Sequence, residues 1–348
     1  VEINGRKIGD KYPPYIIAEV SANHNGSIDL ALETIKAAWE TGVDAVKIQT
    51  YEPQSMTIEC DNPDFFIDDG LWKGKSLYEL YDMAHTPYRW HKRIFDFARE
   101  HGITLFSSPF DEEAVDLLES LSTPAYKVAS FEMTDFLLVD YICQKNKPVI
   151  ISTGMADESE ITESYYCATN RLSPDNVLLL HCVSGYPAPV TDVNLATMVD
   201  LKRQYGGLIG LSDHTLGNEV ALAAVALGAN VIEKHFTLDR NNGSPDAEFS
   251  LEPNEMAALC HGARTVWSAL GKVNYERKKS EASNVRFRRS LYVVKDIKKG
   301  EAFTSENIRR IRPGHGLPPG KLPEVLGKKA ISDLTSGTAL AQEHIYSD

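Results

Sequence analysis

The sequence predicts an α/β architecture, a parallel (β/α)8 barrel with a smaller β-rich domain behind it, on three observations. Short apolar runs alternate with helix-like segments eight times before residue 240. Strands that alternate with helices in this way belong to a parallel sheet buried on both faces. Beyond residue 285 the pattern changes to short strands punctuated by tight turns.

Taken in order, the strand candidates are "YIIAEV" (15–20), "DAVKIQ" (44–49), "ITLFSS" (103–108), "AYKVAS" (125–130), "PVIIST" (148–153), "VLLLHC" (177–182), "LIGLSD" (208–213) and "NVIEKHF" (230–236). Helical spacing fills the intervals. In "SIDLALETIKAAWETG" the residues Leu30, Ile35 and Ala38 stand near helical spacing and Gly42 is a stop, and "GNEVALAAVALGA" follows the seventh run. The second connection is long, from Tyr51 to Lys75 before the helical "SLYELYDMAH". Connections of that length are lids, binding loops or disorder, and its Phe65, Phe66 and Trp72 would either cover a bound sugar or pack on the barrel rim.

The barrel is assigned to residues 1–270, a charged linker without apolar periodicity to 271–285, and the β-rich unit to 286–348. The last is small for independent stability and is expected to lean on another surface. It also differs in charge, with 12 Lys and Arg against 7 Asp and Glu, whereas the whole chain of 348 residues carries −13. That acidity argues against non-specific nucleic-acid binding. Five cysteines, an odd number without CxxC spacing, support neither a zinc site nor a disulfide framework, and a reducing cytoplasm fits them. No run approaches eighteen apolar residues and the N-terminal segment is polar, so neither a membrane span nor a signal peptide is expected.

Nearly every strand candidate ends in polar residues: Glu19, Lys47 with Gln49, Ser107 with Ser108, Lys127 with Ser130, Ser152 with Thr153, His181 with Ser184, Asp213 with His214, and Lys234 with His235. Charged groups at buried strand ends need partners, and the C-terminal strand ends of such barrels build the active site. His214 and His235 stand at matching places on neighbouring strands. With a carboxylate such as Glu19 or Asp246 they suit a divalent metal with open positions, although histidines bonded to backbone or carboxylates are the plainer reading of that spacing. Lys47 and Lys127, with Ser130, Ser152 and Ser212, would bind a phosphate or carboxylate. A single structural salt bridge, or a Schiff-base lysine at Lys127, competes with that reading.

The stretches "IAEVSANHNGSIDLA", "DAVKIQTY", "FSSPFD", "YKVASFE", "ISTGMA", "HCVSGYPAP", "GLSDHT", "IEKHFTLD" and "RPGHG", in this order, resemble the sialic acid synthase family over nearly the whole chain. That family condenses phosphoenolpyruvate with an amino sugar to make nonulosonic acids. The resemblance implies a (β/α)8 TIM barrel followed by a C-terminal antifreeze-like (SAF) domain. It implies a divalent metal, commonly manganese with magnesium or cobalt as alternatives, on His214 and His235, and phosphoenolpyruvate on Lys47, Lys127, Ser130, Ser152 and Ser212. Glu19 would act near the metal-bound water or the phosphoenolpyruvate, and Gln49, Glu132, Tyr186 and Asp246 would contact the sugar. Arg312, in "RPGHG", would reach the partner's site in a domain-swapped homodimer.

Ser184 and Gly185 replace the Asn and bulky aliphatic residue of the N-acetylneuraminate branch. "GLWKGKSLYELYDMAHTPYRWHKRIFDFAREHGITLFSSPFDE" and "EKHFTLDRNNGSPDAEFSLEP" look most like the branch that makes pseudaminic acid from 2,4-diacetamido-2,4,6-trideoxy-altrose. The legionaminic acid branch is the next nearest, followed by the N-acetylneuraminate and spore-coat branches.

Overall fold

A computed structural model describes residues 1–70 and 72–346; Ser347 and Asp348, the end of the expected C-terminal domain, lie outside the described residues. Among the described residues, eight parallel strands close into a barrel, β1 (Tyr15–Glu19), β2 (Ala45–Thr50), β3 (Leu105–Pro109), β4 (Tyr126–Val128), β5 (Val149–Ser152), β6 (Val177–Cys182), β7 (Leu208–Asp213) and β8 (Val231–His235), with β8 pairing back to β1. These are the expected runs, trimmed by one to two residues at several ends and extended by one at the C-terminal ends of β2 and β3. The helices that follow them are α1 (Ile28–Glu40), α2 (Tyr88–Glu100), α3 (Glu112–Ser120), α4 (Phe136–Cys143), α5 (Glu158–Thr169), α6 (Leu195–Tyr205), α7 (Glu219–Ala226) and α8 (Pro253–Leu270). Several begin as the chain's chemistry dictates. The Ser27 hydroxyl accepts from the Leu30 amide at the start of α1, and Asp157 and Glu160 form a reciprocal capping box at α5.

Period-two alternation divides each strand between two cores. One set of side chains, including Ile16, Val46, Val128, Ile151 and Leu211, packs with the helices. The other set points inward, and its first layers are apolar: Tyr15, Ile17, Ala45, Phe106, Ile150 and Leu178 fill the N-terminal half of the barrel. Continuing along the same inward face brings Glu19, Lys47, Lys127, Ser152, Ser212 and Glu233. Strand register sets these abreast, Glu19 beside both Lys47 and His235, and Ser212 beside Glu233.

The polar N-terminal segment, whose composition suggests no element, folds as a hairpin (Glu2–Ile3 with Arg6–Lys7). Asn4 and Gly5 both take positive φ, the requirement of a tight two-residue turn that this residue pair meets. Ile3 and Ile8 thereby join the apolar layers at the N-terminal end of the barrel.

The chain divides into two compact units, Val1–Gly271 and Lys272–Asp348. In the second, a 3-10 stretch (Lys279–Phe287) precedes an antiparallel pair, β9 (Ser290–Val293) and β10 (Ile308–Ile311). Around it Leu291, Ile297, Phe303, Ala330 and Leu340 form a small buried core. Among the described residues no helix is long and apolar enough to cross a membrane.

Candidate active site

The C-terminal ends of the barrel strands enclose a cavity of about 250 Å³, room for small molecules. Lys47, Lys127, Ser130, Ser152 and Ser212 line it, as do His214 and His235. So do Gln49, Glu132, Tyr186 and Asp246. Glu19 lies just beneath, buried against Lys47. Arg312 follows β10 in the second unit and is exposed.

The floor is a buried charge network. Lys47 Nζ stands 2.5 Å from Glu19 Oε2 and 3.6 Å from Glu233 Oε1, and donates to Ser108 Oγ at 3.1 Å. Lys127 Nζ donates to Ser152 Oγ at 2.6 Å and to the Val128 carbonyl at 3.1 Å, with Glu233 Oε1 3.9 Å away. Ser212 Oγ donates to the same Glu233 oxygen at 3.3 Å. Glu233 therefore joins both lysines, yet it is not among the sequence-derived candidates. The signal for it was a glutamate two residues before His235, on the same inward face of an apolar strand.

Burial sets the protonation of these groups, and their neighbours modify it. For Glu19, burial and the nearby Glu233 carboxylate outweigh the pull of Lys47 and push the carboxyl up to about 7. Burial would also raise Glu233, but Lys127, Lys47 and His214 outweigh it and hold the carboxyl below its ordinary value. Burial would lower Lys47, but Glu19 and Glu233 hold it above the usual value. Lys127 is lowered, chiefly by burial, despite Glu233. Lysine and hydroxyl donors of this kind can hold an anion, and one arriving would favour the charged form of Lys127.

The two imidazoles lie above this floor with ring centroids 5.4 Å apart. His214 Nδ1 sits 2.9 Å from the Val183 carbonyl oxygen; as the donor to that oxygen it leaves Nε2 with a free lone pair. His235 Nδ1 is buried without a hydrogen-bond partner among the described residues, and burial together with the surrounding positive charge keeps the ring neutral. The pair fits a divalent ion: two neutral-capable imidazoles, one with an orphaned nitrogen, leave positions for water and substrate. A carboxylate was expected beside them. Glu19 is engaged by Lys47, Asp246 Oδ2 lies 4.0 Å from His235 Nδ1, and among the described residues no cluster of three or more His, Cys, Asp or Glu is disposed to hold a metal.

Several polar strand ends named in the sequence face outward, where period-two alternation puts them. Lys234 Nζ pairs with Asp213 Oδ2 at 2.8 Å and donates to the Thr215 carbonyl at 2.6 Å, both buried behind the barrel wall. Ser107 bonds Thr50, which in turn bonds His91 of α2. His181 Nε2 lies 2.5 Å from the Val193 carbonyl.

The long second connection contributes to the cavity. It holds a short helix (Pro53–Met56) and supplies Met56 and Trp72 to the lining, and the helix that follows it (Leu77–Ala84) supplies Leu80 and Tyr81. Trp72 Nε1 donates to the Pro245 carbonyl at 3.3 Å and the ring lies 6.0 Å from Tyr186. Phe66 is instead exposed and pairs by its backbone with Ser76.

A closed (β/α)8 barrel with paired lysines, carboxylates and imidazoles around a cavity at its C-terminal strand ends has the architecture of a barrel enzyme. More particularly, the chain belongs to the NeuB family, whose model matches residues 34–275, and it carries a SAF domain at residues 288–345. It is 47% identical to the pseudaminic acid synthase of Campylobacter jejuni serotype O:2, over 94% of this chain and 95% of that one. To the N,N'-diacetyllegionaminic acid synthase of the same organism it is 39% identical, over 91% and 96%. Among solved structures, the N-acetylneuraminic acid synthetase of Leptospira borgpetersenii superposes with a TM-score of 0.73 at 31% identity, covering 83% of this chain and 95% of that one.

Proposed function

We propose that this chain is a pseudaminic acid synthase, condensing phosphoenolpyruvate with 2,4-diacetamido-2,4,6-trideoxy-altrose and water to give pseudaminic acid and phosphate. The observation that carries the reading is the 47% identity to a pseudaminic acid synthase over nearly the full length of both chains, against 39% to the legionaminic relative. The cavity supplies the matching chemistry, an anion floor beneath two imidazoles.

Lys47 and Lys127, with Ser130, Ser152 and Ser212, hold the carboxylate and phosphate of phosphoenolpyruvate. Its C3 forms a bond to the aldehyde carbon of the open-chain sugar, positive charge develops at C2, and water adds there. The C–O bond to phosphate then breaks, and the two lysines stabilise the departing anion. Glu19, poised at about 7, suits taking the proton released as water adds at C2. His214 and His235 would hold a divalent metal, manganese before magnesium or cobalt, which as a Lewis acid would polarise the aldehyde oxygen. Gln49, Glu132, Tyr186 and Asp246 orient the sugar, and Arg312 enters from the partner subunit of a domain-swapped homodimer. The enzyme works in the cytoplasm.

Phosphate release from phosphoenolpyruvate, followed with the altrose sugar, its legionaminic counterpart and N-acetylmannosamine, with and without chelator, tests this. Chelator-sensitive release with the altrose sugar is expected; preference for another sugar moves the branch, and silence with all three rejects the reaction. His235→Ala should abolish turnover and metal retention while the melting curve of the metal-free protein stays close to wild type. Borohydride should trap no substrate on Lys127, and trapping would favour a Schiff-base aldolase.

A further inference from the structure

The cavity is polar on its floor but apolar on one flank. Where β2 and β3 end, the wall is Tyr51, Met56, Leu80, Tyr81 and Phe110. The Tyr51 ring packs edge-on against both Tyr81, at 5.8 Å, and Phe110, at 5.0 Å, and Tyr51 and Leu80 are buried. The flank is thus a packed surface of fixed shape. In the closed ring of strands, β3 stands four places from β7, which leads into His214, and β2 stands four places from β6. The apolar wall therefore faces His214 across the barrel mouth, while β8, which carries His235, stands three places from β3 and two from β2.

We infer that this wall is the specificity surface for the far end of the sugar, receiving the C6 methyl and the C4 acetamido group. The inference rests on the proposed reaction, which places the aldehyde carbon at His214 and His235; an open chain reaching from there across the mouth brings C4 to C6 against the opposite flank. A deoxy carbon and an acetyl methyl gain by leaving water for such a surface, whereas a hydroxymethyl group in the same place would be desolvated with few partners. Met56 comes from the long connection after β2, and Leu80 and Tyr81 from the helix that follows it, so the segment between β2 and α2 builds the wall that distinguishes this sugar from a hydroxylated one.

The test compares the full-length metal-loaded enzyme with Met56→Gln and Leu80→Gln, each assayed with 2,4-diacetamido-2,4,6-trideoxy-altrose, its 6-hydroxy analogue and N-acetylmannosamine. The wild type should favour the 6-deoxy sugar over the 6-hydroxy analogue by about tenfold or more in kcat/KM, and each variant should erase most of that preference with KM for phosphoenolpyruvate within about twofold. Met56 is partly exposed, so its variant reports even where Leu80→Gln fails to fold. An unchanged preference in folded Met56→Gln, or an equal fall for both sugars, overturns the inference while leaving the reaction standing. A wild type that uses N-acetylmannosamine and ignores the diacetamido sugar overturns the proposed substrate, and this inference with it.

Discussion

Glu132 shows what a site residue costs the fold. Its carboxyl is largely enclosed, Oε2 has no hydrogen-bond partner among the described residues, and burial pushes it up to about 7 against the attraction of Lys127. The folded state therefore holds a proton that the unfolded chain releases near its ordinary value of 4.5. Between those values the native state binds more protons, so this group's contribution to stability falls as pH rises from about 4.5 to about 7 and then stays flat. Glu132→Gln removes the penalty: stability at pH 8 should rise by up to about 3 kcal/mol, the gain should fade by pH 5, and turnover should fall. Denaturant unfolding at the two pH values checks this. Gly154 works by space. A Cβ there would press into the hydroxyls of Ser130 and Ser184, and its amide donates to Ser130 Oγ at 3.1 Å. Gly154→Ala should raise KM for phosphoenolpyruvate about tenfold or more by displacing Ser130, with a small change in melting temperature.

Among the elements, β7 and β8 are tied by a pair on their outer face. Lys234 and Asp213 meet behind the wall that carries His214 and His235, and Asp213 Oδ1 also accepts from the Thr215 amide and hydroxyl. Lys234→Met leaves that carboxylate buried and unpaired, which should cost about 3–5 kcal/mol. Urea midpoints measure it, and a shift within experimental error would show that the pair is dispensable. These two residues also mark the limit of the sequence reading. Apolar runs gave the strand spans because burial on both faces leaves a continuous signal. The same continuity hid the phase of the alternation, so Lys234 and Asp213 read as site residues while Glu233, facing inward, was passed over. Ser212 was legible two residues before His214, and the same spacing before His235 marks Glu233 as inward, a signal that the apolar run around it concealed. The N-terminal hairpin was announced by Asn4-Gly5 but masked by polar flanks. The apolar wall was beyond reach from sequence, because Tyr51, Leu80 and Phe110 meet through tertiary packing and not through any local pattern.

At the scale of the whole molecule, the chain divides into an acidic barrel unit and a basic C-terminal unit. The proposed exchange of that unit between subunits predicts complementation. Arg312→Ala and Glu19→Ala should each be nearly inactive, but after subunit exchange half of the dimers are mixed and each mixed dimer keeps one intact site, so about a quarter of wild-type activity should return. Verified exchange without recovery would show that each site is completed within its own chain.

The apolar layers at the N-terminal end have a consequence for traffic. Ile3, Ile8, Tyr15 and Ile17 close the barrel beneath the charged floor, so the chamber is shut at that end. In the proposed arrangement, with phosphoenolpyruvate on the lysines below and the sugar above it, the lower molecule would board first and the phosphate left from it would queue behind the newly made acid. A sugar that arrives early bars the door to its own co-substrate, so high sugar concentrations should slow the enzyme, and added phosphoenolpyruvate should relieve the block.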